Sequence, residues 1–403
     1  MNKKVVIIVI LVVALAIALC VMGFSWYKES IKPPKIEVTL KEDRTINFLE
    51  EAKVSDFLVS INGTLTDDYT LDTSSIGKKN ISFEFINDEN KKVNYSYDIN
   101  VIDTVAPVIW LSSSYTVTVG NSVNLLEEIM CGDNVDDNPT CLIEGTYNIN
   151  KVGDYKLTFV ATDDSGNEAR QNFTLTVRAK NTGSGNGTSS TARSSILFSD
   201  VVAEHKTDKT KIGIDISSWQ GNVDFEKLKN AGVEFVMIRV GGTLGTNKEF
   251  FVDSKFVRNI TEANKYNIPV GVYYYSYSMT KENAIKEAIW VLSQIKDYKI
   301  DLPVVFDWED WADYNTYNLS FYHLTEMANA FLDTVKEAGY EGMLYSSRNY
   351  LQKIWMETPY PIWLAIYNDK TYYDGEYKMW QLCDTGRVDG VDGPVDIDVM
   401  YID

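Results

Sequence analysis

Apolar and polar positions change rhythm twice along this chain. From Val5 to Phe24 the residues are unbrokenly apolar, a run about 30 Å long as a helix and so able to cross a bilayer. The run is longer than a usual signal-peptide core, which predicts an uncut anchor over residues 1–27. Residues 33–178 then alternate with period two, in short strands broken by polar turns such as Asn87-Asp-Glu-Asn90 and Asp163-Asp-Ser-Gly-Asn167. This stretch repeats itself. Ile76-Gly-Lys-Lys-Asn-Ile-Ser-Phe83 aligns without gaps to Val152-Gly-Asp-Tyr-Lys-Leu-Thr-Phe159, and the same offset carries Tyr97-Asp-Ile-Asn-Val101 onto Phe173-Thr-Leu-Thr-Val177. The pattern predicts two all-β sandwiches, over residues 33–102 and 103–178.

From Lys211 onward the period switches between two and 3.6. Lys211-Ile-Gly-Ile-Asp-Ile216 reads as a strand, Asp224 to Ala231 as a short helix stopped by Gly232, and Glu234-Phe-Val-Met-Ile-Arg-Val240 as a second strand. The alternation continues to the long helix Ser320 to Ala338, stopped by Gly339. Three later strands come too fast for full helices between them. Eight strands in this order predict an irregular β/α barrel over residues 207–403, its active site at the C-terminal strand ends. Between sandwiches and barrel, Lys180-Asn-Thr-Gly-Ser-Gly-Asn-Gly-Thr-Ser-Ser190 has the composition of a flexible coil, and residues 179–206 are read as a linker that lets the barrel swing on a stalk.

Acidic residues gather at the predicted strand ends: Asp215 on the first, Asp307 and Glu309 on the fourth, Asp396 and Asp398 on the last. On a strand, residues two apart share a face, so Asp307-Trp308-Glu309 is expected to set two carboxyls side by side. Two carboxylates in one cleft disfavour each other's charge, and one then keeps its proton near neutral pH. Glycoside hydrolysis needs that arrangement.

Four blocks carry a resemblance. Gly213-Ile-Asp-Ile-Ser-Ser-Trp-Gln-Gly221, Pro303-Val-Val-Phe-Asp-Trp-Glu309, Met379-Trp-Gln381 and Gly390-Val-Asp-Gly-Pro-Val-Asp-Ile-Asp398 resemble, in order, the signatures of glycoside hydrolase family 25, the lysozyme-type N-acetylmuramidases. The resemblance implies a barrel with five helices and three helix-poor final strands, and cleavage of the β-1,4 bond between N-acetylmuramic acid and N-acetylglucosamine in peptidoglycan. At the matching positions Glu309 is the implied general acid, with Asp215, Asp307 and Asp396 the acidic residues around it; Asp398 ranks below Asp396. The nucleophile stays open. The substrate's own 2-acetamido group, oriented by Asp307, is one choice, and Asp215 as charge stabiliser or base for water is another. Arg239-Val-Gly-Gly-Thr243 and Cys383 depart from the family habit, which bears on substrate preference. The second sandwich, from Asp103-Thr-Val-Ala-Pro107, resembles bacterial immunoglobulin-like surface modules; the first resembles them more loosely.

Among 25 Tyr and 9 Trp, Trp219, Tyr275 and Trp363 are the expected sugar-stacking residues, with Gln381 and Arg239 as polar substrate contacts. The competing reading of the aromatics is core packing. Two histidines and scattered cysteines cannot build a zinc site, and the proposed chemistry asks for no metal and no cofactor. The acidic turn Gly132-Asp-Asn-Val-Asp-Asp-Asn138 offers oxygen ligands for calcium but lacks the spacing and closing Glu of an EF-hand, and a solvated turn is the favoured of the two readings. Cys131 and Cys141 are expected to form a disulfide, which suits an extracytoplasmic setting for everything beyond a single membrane span. A formal net charge of -19 argues against nucleic acid as a partner. The expected partners are the membrane and peptidoglycan glycan strands. Two readings compete with an anchored enzyme: a wall-binding tether that no longer cuts, and a surface-complex protein whose sandwiches bind other cell-surface proteins.

Overall fold

The computed structural model describes residues 3–30, 32–111, 114–180, 194–244 and 249–402. These form two units, residues 1–104 and 105–403. In the first, the helix Lys3–Ser30 carries a window, Ile10–Lys28, with mean hydropathy 2.3 and no buried share. A β module follows. Its four-stranded sheet runs in the order Thr45–Asn47, Lys92–Ile102, Gly77–Asn87, Gly63–Leu65, and Val38–Leu40 pairs with Leu58–Ile61 beside it. The inward residues of the central hairpin, among them Phe83, Phe85, Ile99 and Val101, bury against both sheets as period-two alternation requires.

The second unit opens with a similar module. Its sheet order is Thr140–Glu144, Gly153–Thr162, Glu168–Arg178, Ser114–Thr118, with Val108–Trp110 paired to Met130–Gly132. Phe159, Phe173 and Leu175 fill its core, and a disulfide joins Cys131 to Cys141.

The barrel strands are β1 (Thr210–Ile216), β2 (Val236–Leu244), β3 (Val270–Tyr275), β4 (Val304–Asp307), β5 (Gly342–Ser347), β6 (Ile362–Ala365), β7 (Met379–Arg387) and β8 (Val395–Tyr401). Helices α1 (Phe225–Asn230), α2 (Phe256–Lys265), α3 (Lys281–Ile295), α4 (Phe321–Glu337) and α5 (Arg348–Lys353) alternate with β1 to β6. Side chains of Asp224, Thr280 and Ser320 cap α1, α3 and α4. Gly232 and Gly339, at φ 87° and 90°, stop α1 and α4 in a conformation that favours glycine. Strands β1 to β7 pair in parallel in the order β7-β6-β5-β4-β3-β2-β1, and β8 closes the ring between β1 and β7. The closing strand is antiparallel to both neighbours. A parallel return needs a crossover of a dozen or more residues, and only residues 388–394 separate β7 from β8.

Three expectations are corrected. The linker does not extend to residue 206: Ile196–Leu197 pairs in parallel with the end of β7, and the helix Phe198–His205 sinks Phe198 and Val201 into the barrel core. Its apolar spacing is what a coil lacks. The remainder of the predicted linker, residues 181–193, lies outside the described residues. The acidic turn is solvated only in part: Asp137 and Asn138 are exposed, but Asp133 is fully buried. Nor does the barrel swing free of the second module. Met130 belongs to the barrel's own core cluster, with Val108 and Trp110 packed against it.

Candidate active site

Sheet register gathers the carboxyls. Asp307, the last residue of β4, lies between Tyr275 of β3 and Tyr345 of β5. Across the barrel, Asp215 of β1 pairs with Asp396 of β8, and Asp398 pairs with Gly213 and Gln381. Because β8 is antiparallel, its first half stands at the C-terminal ends of the other strands, so both of its acids reach the same end as Asp307. Glu309 is beyond β4, which stops at Asp307. The shared-face argument for these two residues therefore does not apply; Glu309 sits in the irregular chain past the strand end, and its charge acts directly on Asp307.

Burial raises every one of these acids, and crowding of like charge adds to it for all but Glu309. Burial, then Asp396 and Asp398, lifts Asp215 well above the usual carboxylate range, against a hydrogen bond from Gln381. Burial and then Glu309 lift Asp307, while the Arg239 guanidinium pulls it back. Glu309 is raised only by the protein packed around its carboxyl, which removes part of its water although the residue keeps an exposed surface. Burial and then Asp384 push Asp396 up to about 7. Burial and then Asp396 hold Asp398 well above its ordinary value. A cluster of this kind keeps protons at neutral pH. Accessibility separates its members: Glu309 is exposed, Asp215, Asp307 and Asp398 are buried, and Asp396 is intermediate.

Glu309 also lines a cavity of about 320 Å³ with Tyr345, Ser347, Arg348, Asn349, Ala365, Ile366 and Tyr367. A larger cavity, about 870 Å³, holds Pro361, Lys378 and Tyr401 at the other end of the strands, away from every carboxyl named. The chemistry decides between the two, not the volume.

The predicted substrate contacts divide. Trp219 is 86% exposed on a turn whose Ser217 side chain accepts from the Trp219 N–H, and so presents a free ring. Tyr275 is partly exposed beside Asp307, against Tyr277. Trp363 is corrected: it is 2% exposed, flanked edge-on by Tyr273 and Tyr345, and donates its indole N–H to Asp398 at 2.9 Å. No face is left for a sugar. Gln381 is corrected likewise, because it is buried with both ends of its amide engaged, donating to Asp215 and accepting from Tyr345 and Tyr367. Arg239 spends its guanidinium on the buried Asp253 and on Ser218 Oγ, bracing the turn that carries Trp219. In all three cases an inward-facing strand position put the side chain into the barrel wall rather than the cleft.

Sequence reasoning missed Asp253, which accepts from the Ser218 and Lys255 N–H groups as well as from Arg239. It also missed the Tyr345 and Tyr367 hydroxyls that hold Gln381. No spacing in the chain announces these partners, which only barrel closure brings together.

Residues 214–391 match the family model described as Glycosyl hydrolases family 25. Over 189 residues the chain is 28% identical to the autolytic lysozyme of Clostridium acetobutylicum, covering 46% of this chain and 54% of that one. Lysozyme M1 of Streptomyces globisporus is 29% identical over 198 residues, 46% of this chain and 65% of its own. The uncharacterized protein YegX of Escherichia coli K12 is 27% identical over 193 residues, 47% of this chain and 68% of its own. Over the matched region this chain is a glycoside hydrolase domain.

Proposed function

We propose that this chain is a membrane-anchored peptidoglycan hydrolase that cleaves the β-1,4 bond between N-acetylmuramic acid and N-acetylglucosamine. The observation that carries the reading is a difference of environment within one pair of carboxyls. Glu309 opens to the cleft and is raised by the protein around it. Asp307 is buried beside the Arg239 charge, and its Oδ1 has no hydrogen-bond partner among the described residues.

Roles follow from that difference. Arg239 offsets only in part the burial and the Glu309 charge that raise Asp307; the proton that can be given away is assigned to Glu309 because that carboxyl is the one open to the cleft. Glu309 protonates the glycosidic oxygen as the bond to the anomeric carbon breaks. The unpartnered Asp307 oxygen accepts the N–H of the substrate's 2-acetamido group, and its negative charge favours attack of the acetamido oxygen on the anomeric carbon. Water then opens the cyclic intermediate and returns its proton to Glu309. Trp219 offers a stacking face along the glycan.

The remaining parts fit an enzyme held at a surface. The apolar helix is long enough to span a bilayer, and a disulfide in the second module suits an oxidising exterior. Each module pairs a four-stranded sheet with a smaller one over a common core, in keeping with an immunoglobulin-like sandwich. Digestion of purified peptidoglycan tests the reading. A new reducing end on N-acetylmuramic acid is expected; a new reducing end on N-acetylglucosamine, or none, overturns it.

A further inference from the structure

The segment that follows Glu309 is held by the second β module rather than by the barrel alone. Asn315, six residues on, accepts the Cys131 N–H at 2.9 Å and donates to the Ile129 carbonyl at 2.8 Å and the Leu126 carbonyl at 3.1 Å. One side chain thus satisfies three backbone groups of the module. Gly132 lies so close that a Cβ there would stand 2.7 Å from ring atoms of both Tyr314 and Phe321. At the far end of the segment, α4 begins with N–H groups that no helix can satisfy internally. The module supplies their acceptors: Asp137 Oδ1 takes the Ser320 N–H, and the Asp133 and Asn134 carbonyls take those of Phe321 and Tyr322. His323 meets the same Asp137 oxygen at 2.6 Å.

A second line of contact reaches the other wall of the cleft. Trp110 of the module stacks on Tyr350 of α5 with ring centres 4.8 Å apart, and Tyr350 stacks on Trp311 at 3.8 Å. Trp311 in turn meets the buried Trp308 edge-on at 4.8 Å, and its backbone N–H donates to the Glu309 carbonyl at 2.8 Å. Helix α5 opens with Arg348 and Asn349, which line the Glu309 cavity. Lys353 lies over the Trp110 ring at 5.3 Å. Both flanks of Glu309 are therefore seated on one edge of the module.

We infer that the second β module is a built-in buttress of the active site, with Asn315 and Trp110 as positioning residues that fix Glu309 against the scissile bond. The inference rests on the hydrolase reading above. A general acid works only within hydrogen-bond reach of its oxygen, and a displacement of about 1 Å costs up to roughly 100-fold in rate. A spacer has no reason to bury its turns under the residues that follow the acid.

The test uses the full chain in detergent, with steady-state kinetics on soluble glycan fragments. Trp110→Ala and Asn315→Ala are expected to fold and to lower kcat by roughly 10–100-fold with KM within about twofold. Trp110→Phe, which keeps a stacking ring, should recover most of kcat, and Lys156→Ala, on the module but outside the docking edge, should match the wild type. Glu309 is also followed without turnover, through the 13C resonance of its side-chain carboxyl, which should move in both alanine variants. Unchanged kcat and an unmoved resonance in folded variants overturn the buttress. So does a rise in KM alone, which would make Trp110 a substrate contact. A wild type that releases no reducing sugar refutes the hydrolase reading instead, and leaves the carboxyl resonance to decide this one.

Discussion

Gln381 donates from Nε2 to Asp215 Oδ2 at 2.8 Å, while its Oε1 accepts from the Tyr345 hydroxyl at 2.8 Å and the Tyr367 hydroxyl at 3.0 Å. The amide thereby ties three strands and the loop after β6 into one network directly beneath the cleft. Gln381→Leu would take from the buried Asp215 carboxyl its donor and from the buried Tyr345 hydroxyl the Gln381 acceptor, a buried polar group left unsatisfied costing about 1–3 kcal/mol. Chemical denaturation should show a loss of about 2 kcal/mol or more. A variant as stable as the wild type would mean that the network carries no net energy.

Glu309→Gln keeps the shape and removes the proton. It is expected to fold, retain glycan binding and lose turnover by roughly two or more orders of magnitude. Asp307→Asn should also cut kcat, through loss of negative charge at the acetamido group. Muropeptide release followed by mass spectrometry measures both. Normal release by the glutamine variant would remove Glu309 from the mechanism.

Stability should fall as pH rises through the carboxyl cluster. Asp396 is pushed up to about 7 in the folded protein, by burial and then by Asp384, against about 3.9 for an unfolded chain. Between those values the folded state holds a proton that the unfolded state has released, so raising the pH favours unfolding. Asp396→Asn abolishes that penalty. The variant should melt higher than the wild type at pH 8, with the gap closing near pH 4. A gap that widens toward acid would show that Asp396 is stabilised as the anion instead.

Trp219, the exposed aromatic of the β1 turn, should act on binding alone. Its replacement by Ala is expected to raise KM several-fold, about the 1 kcal/mol that one aromatic contact supplies, and to leave kcat unchanged. Glycan titration at equilibrium gives the same number independently.

Cutting the chain before residue 194 should damage the barrel that remains. Val108, Trp110 and Met130 would leave apolar side chains uncovered, and the first N–H groups of α4 would lose their acceptors. Residues 105–403 should match the full chain in turnover on soluble fragments, whereas residues 194–403 should be slower, less soluble or both. Equal activity of the two fragments would restore the picture of a barrel on a passive stalk.

What the sequence by itself determined was local and periodic. The apolar helix, the paired strands of the repeated modules, the caps at Thr280 and Ser320 and the stops at Gly232 and Gly339 follow from neighbours within a few residues. The acids at strand ends were legible for the same reason: strand, turn and helix each have a period that can be read along the chain. Tertiary structure decided what each side chain meets. Trp363 and Gln381 looked like cleft residues and are wall residues, because facing inward on a closed barrel means burial once Asp398 and Asp215 come round from β8 and β1. Asn315 looked like any polar loop residue, and its partners lie 184 to 189 positions away. Contacts at such separations leave no period in the chain. They exist only when two separately folded surfaces happen to fit, and there a module read as a stalk becomes a support for the acid.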